Sequence, residues 1–79
     1  MKEEFPIEKY IPLENEPYFL GRITVNALSD KKMVEVDIIQ KESHRIFKHL
    51  LTFTTNEDVN EAFELGLIEF KKCLQVSKN

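Results

Sequence analysis

Seventy-nine residues with 42% hydrophobic and 32% charged side chains make one small globular domain, too apolar for a disordered chain. The net charge of -3 argues against a dedicated nucleic-acid or membrane binder, which is usually basic. The single cysteine, Cys73, excludes an intrachain disulfide framework, and no apolar run approaches the ~20 residues of a membrane helix.

Charge is distributed in three blocks. Residues 1–20 balance at -3, residues 21–55 at +2 and residues 56–79 at -2. The middle of the chain is the mildly basic part, between two acidic ends. Met1-Lys2-Glu3-Glu4 lacks the apolar segment of a secretory signal, so the expected compartment is cytoplasmic.

Residues 1–17 read as an extended leader. Phe5-Pro6-Ile7-Glu8 and Ile11-Pro12-Leu13-Glu14 repeat an apolar-Pro-apolar-acid pattern, and Pro17 follows. Each proline pushes its predecessor towards extended backbone, which opposes a helix. Phe5, Ile7, Tyr10, Ile11 and Leu13 are too apolar for a free tail, so the leader is expected to lie as a strap on an apolar surface.

Three strands are expected next. Over Tyr18–Leu28, Phe19, Ile23, Val25 and Ala27 alternate with Leu20, Arg22, Thr24 and Asn26, the period of a pleated strand. Gly21 interrupts it and marks a bulge or a close backbone approach. After the turn at Ser29-Asp30-Lys31-Lys32, Met33–Lys41 places Val34, Val36 and Ile38 opposite Glu35, Asp37 and Ile39. Glu42-Ser43 turns the chain into His44–Thr54, where Phe47, His49, Leu51 and Phe53 share one face and Ile46, Lys48, Leu50 and Thr52 the other.

Thr54–Leu74 carries the helix. Thr55-Asn56-Glu57-Asp58 has a hydroxyl cap followed by acids, and Val59, Ala62, Phe63, Gly66, Leu67, Phe70, Cys73 and Leu74 form one apolar stripe. Lys71 and Lys72 fall in its closing turns, at the negative end of the dipole. Gly66, inside the stripe, lets the helix approach its support closely.

The expected architecture is α+β: a three-stranded antiparallel meander (β-β-β) with one C-terminal helix packed on one face. The extended N-terminal strap covers residues 1–17 and the β-β-β-α domain residues 18–79. Ile23, Val25, Val34, Val36, Ile38, Phe47, Leu51 and Phe53 are expected beneath the helix. The opposite face then carries Leu20, Met33, Ile39, Ile46 and Leu50, a surplus apolar surface that the leader or a second copy would cover. Leu65 and Ile68 fall on the outer side of the helix.

Chemistry-bearing patterns are few. His44 and His49 are five apart on a strand, so they point to opposite faces, and one thiol gives no zinc-type ligand set. Two isolated glycines, Gly21 and Gly66, form no phosphate loop. An enzyme built around Glu35, Asp37 and His49 is the remotest reading. No catalytic set, cofactor, small-molecule substrate or metal ligand group is expected.

Two functional expectations remain. The first is a non-enzymatic protein-interaction module, self-associating as a homodimer through Leu20, Met33, Ile39, Ile46, Leu50, Leu65 and Ile68. The second is a nucleic-acid-binding regulator using Arg22, Lys31, Lys32, Lys41, Arg45 and Lys48. Arg45-Ile46-Phe47, Thr52-Phe53-Thr54-Thr55-Asn56-Glu57-Asp58 and Ala62-Phe63, about a quarter of the chain, resemble the DNA-binding domain of plant ethylene-response factors and the arm-binding domain of phage integrases. That resemblance implies a sheet face in the major groove, offered here by Arg22, Thr24, Asn26, Lys48 and Thr52 among acids and aliphatics. The element order is also similar to a double-stranded RNA-binding domain lacking its first helix.

Overall fold

The computed structural model describes residues 4–77, and the chain is α+β. Four strands run β1 (Ile7–Pro12), β2 (Phe19–Ala27), β3 (Lys32–Gln40) and β4 (Ile46–Thr55), followed by α1 (Val59–Ser77). The strands form one antiparallel sheet in the order β1-β2-β3-β4, and α1 lies across one face. The meander therefore has four strands where three were expected.

The extra strand is the leader. Ile7 pairs with Val25, Lys9 with Ile23 and Ile11 with Gly21, so the strap is hydrogen-bonded into the sheet. Its apolar residues Phe5, Ile7, Ile11 and Leu13 all fall at odd positions, the period-two signature of a strand. They pack against the helix-side core and do not cover the opposite face. Pro12 is tolerated because β1 is an edge strand and Pro12 is its last residue.

The core is the interface between α1 and the sheet. Ile23, Val25, Val34, Val36, Ala62 and Phe70 are essentially inaccessible, closed by Val59 and Phe63. Both glycines are close-approach positions. A Cβ on Gly21 would enter the Phe70 ring, and one on Gly66 would lie 2.8 Å from the Ile23 Cγ2 methyl. Lys9, the exception in the odd-numbered series of β1, sets its ammonium 4.7 Å from the Phe63 ring centre.

α1 is capped one turn later than Thr55 suggests. Asp58 Oδ1 accepts from the Glu61 backbone N–H at 2.8 Å, and the Asp58 carbonyl takes the first helical bond, from Ala62. Thr55 Oγ1 accepts instead from the Glu57 N–H at 3.2 Å. The helix runs on to Ser77, so Lys71 and Lys72 lie short of its last turn.

Candidate functional site: the open sheet face and the β4 side

Register fixes which side chains share the face away from α1. Tyr10 on β1 stands beside Arg22 on β2, Arg22 beside Asp37 on β3, and Asp37 beside His49 on β4. Glu8 on β1 joins this row, since Arg22 Nη1 is 3.7 Å from Glu8 Oε2. Arg22 Nη2 is 3.7 Å from Asp37 Oδ2. Charges alternate in sign across adjacent strands, the favourable arrangement for cross-strand neighbours.

His49 reaches this row because β4 is bulged twice. Val36 pairs with Leu51 but Asp37 with His49, so Leu50 is the extra residue; Ile38 pairs with Lys48 but Ile39 with Ile46, so Phe47 is the second. Each bulge reverses the side on which the following residues stand. His49, expected beside Phe47 on the helix side, is carried to the open face. Leu50, expected on the open face, turns inward and packs against the core. Phe47, expected beneath the helix, is 60% exposed and meets Phe19, with ring centres 4.6 Å apart. Lys48 shifts to the helix side, opposite Ile38.

The row is wired by hydrogen bonds. Asp37, its side chain only 4% exposed, accepts from His49 Nδ1 at 2.6 Å. With its proton on Nδ1, a neutral His49 accepts at Nε2 from the Thr52 hydroxyl, 2.8 Å away. Tyr10 donates to Glu8 at 2.7 Å, and this hydrogen bond, followed by desolvation and the Glu8 charge, raises the phenol above its ordinary range. The His44 ring lies 5.0 Å from that of Tyr10, so the β3–β4 turn leans over β2 towards β1. His44 occupies the left-handed region at φ 62, as does Asn15 in the β1–β2 turn. Arg22 Nε is buried without a hydrogen-bond partner among the described residues.

Asp37, His49 and Thr52 stand in the order orienting acid, base, hydroxyl. Acyl transfer further needs a pocket in front of the hydroxyl. The groove bordering His49 opens instead beside α1, between Ile38, Lys48, Leu50, Lys72, Cys73 and Leu74. The row acts as an electrostatic tie across all four strands. Glu35, placed with Asp37 by sequence, stands on the same face between Thr24 on β2 and Thr52 on β4. Among the described residues, no group of three His, Cys, Asp or Glu side chains is placed to hold a metal ion.

The apolar residues expected on the open face divide. Ile39 is wholly buried, Leu20 and Met33 are half-buried, and Ile46 is 57% exposed. On α1, Ile68 is 48% exposed and Leu65 half-buried. Leu65 borders a groove with Leu51, Phe53, Thr54, Thr55 and Glu69, so the flank of α1 nearest β4 continues the apolar margin of that strand. β4 itself ends the sheet, with no strand beyond it among the described residues.

The cationic residues do not converge. Lys31 and Lys32 sit at the β2–β3 turn, Lys41 and Arg45 at the β3–β4 turn at the other end of the sheet, and Lys48 on the helix side. Arg22 is held between two carboxylates. Among the described residues, no helix is long and apolar enough to cross a membrane. No protein-family model, curated protein or solved structure matches this chain.

Proposed function

We propose that this domain is a small non-enzymatic protein-interaction module that self-associates through the β4 side of the molecule. The observation that carries the proposal is the open edge strand β4, where Ile46 and Phe47 are more than half exposed. Apolar side chains grouped around an unpaired strand edge favour a protein partner over water. The middle of the open face contributes less, because Ile39 is already covered and Asp37 is held between Arg22 and His49.

A second copy is the simplest occupant, since a two-fold axis brings one apolar margin against its own duplicate. Light scattering on the eluting chromatographic peak, from low to high micromolar concentration, should show a mass rising to twice that of the 9.3 kDa chain. Ile46→Glu and Phe47→Glu together should shift that equilibrium towards monomer without loss of the circular-dichroism spectrum. A single-chain mass at every concentration would remove the proposal.

A further inference from the structure

The outer flank of α1 carries a pattern that reads the same in both directions. Glu61, Leu65, Ile68 and Lys72 follow one another at steps of four, three and four residues, which sets them on one stripe of the helix. At about 1.5 Å per residue, the stripe is roughly 16 Å long, with an acid at one end, a base at the other and two aliphatics between. A stripe of this kind is complementary to itself when reversed. Laid antiparallel on a copy, Leu65 meets Ile68, Glu61 meets Lys72, and each contact occurs twice.

Three of the four stripe residues are open to solvent, and Leu65 is half-buried. Glu61 is exposed, Ile68 is 48% exposed and the Lys72 side chain 66% exposed. It lies away from the buried series Val59, Ala62, Phe63, Gly66 and Phe70 that faces the sheet. Its Leu65 and Lys72 edge is the one nearer β4, since those two residues border the grooves between α1 and that strand. Lys72 also sits 3.5 Å from Glu69 of its own helix, which holds the ammonium on this flank.

We infer that a second copy of this chain docks on α1 in antiparallel fashion, with the two-fold axis between Leu65 and Ile68 and reciprocal Glu61–Lys72 pairs closing both ends. The inference rests on the self-association proposed above and adds its seam, orientation and symmetry. Antiparallel docking also brings the β4 margins of the two copies to one side, where the groove lined by Leu51, Phe53 and Leu65 borders the seam. A stable interface needs roughly 800 Å2 from each partner. Each chain has 5877 Å2 of accessible surface, so the seam and the strand margin together must contribute about a seventh of it.

Charge reversal tests the seam with the full-length chain. Glu61→Lys alone sets like charges opposite each other at both ends and should weaken dimerisation roughly tenfold or more at low salt. Lys72→Glu alone should do the same. Glu61→Lys with Lys72→Glu in one chain restores both pairs and should return the dissociation constant to within about threefold of the parent, and mixing the two single variants should yield a heterodimer. A dimer indifferent to all three variants but dissolved by Ile46→Glu with Phe47→Glu would overturn the seam and leave the β4-side reading standing. A chain that is monomeric throughout would overturn both.

Discussion

Asp37 is the residue on which the open face depends. Its carboxylate is nearly sealed from water and answers Arg22 on one oxygen and His49 on the other. Without Asp37, Arg22 keeps Glu8 as a partner and His49 is open to water, so the loss is that of a buried hydrogen-bonded carboxylate, about 2–3 kcal/mol. Chains of this length are typically stable by only about 4–12 kcal/mol. Asp37→Ala should therefore lower the midpoint of urea unfolding clearly while the chain still folds in water. His49 is 48% exposed and its loss can be met by water, so His49→Ala should cost only about 1 kcal/mol. Equal losses from the two variants would contradict the row as described. Tyr10 offers a test by pH. Its phenol is raised above 10.0, chiefly by the hydrogen bond to Glu8. A group raised in the folded state stabilises it below the unfolded pKa, and the effect is lost as pH rises through the folded value. In Tyr18→Phe, where Tyr10 is the sole tyrosine, ultraviolet titration should place its midpoint above 10.0, and urea should return it to the ordinary value. A midpoint that urea does not move would contradict this.

β2, β3, β4 and α1 are written into the sequence more securely than their boundaries. The α1 stripe places Ala62, Phe63, Gly66 and Phe70 against the sheet, as its period requires. The cap was read one turn early because Thr55 and Asp58 both satisfy the pattern of a capping side chain with an acid three residues on. The backbone chose Asp58. Asp58→Ala should accordingly cost about 1 kcal/mol and Thr55→Ala only a few tenths, as read by thermal melting; the reverse order would restore Thr55 as the cap. In β4, the doublets Ile46-Phe47 and Leu50-Leu51 were read as one residue for each face. They are the footprints of two bulges, where adjacent apolar residues need not alternate. Neither bulge contains glycine, the one residue that commonly marks such a site in sequence.

At the scale of the whole molecule, the leader is structural. Phe5, Ile7, Ile11 and Leu13 pack against the main core, and half-burying each is worth about 1 kcal/mol. Together they match a large share of the stability expected of so short a chain. Deleting residues 1–13 should abolish the cooperative melting transition, and a truncated chain that melts like the parent would show the strand to be dispensable. The strap is one of the two covers expected for the reverse of the sheet, a second copy being the other; Leu20, Met33 and Ile46 remain half-buried or exposed there. With its apolar side chains on the helix side, the strap leaves that surface to the polar row and, on the proposal above, to a second copy.

Local order was decided by composition and period alone. The chain needs one amphipathic helix at its end, extended backbone before it, and short turns at 28–31 and 41–45, because side-chain spacing and turn chemistry act over a few residues. Tertiary structure decided what no local pattern contains: that the leader would add itself to the edge of the sheet, and that β4 would slip twice against β3. Strand pairing is a bargain with a neighbour distant in sequence. A one-residue slip exchanges the two faces of a strand, as it does for Leu50 and His49.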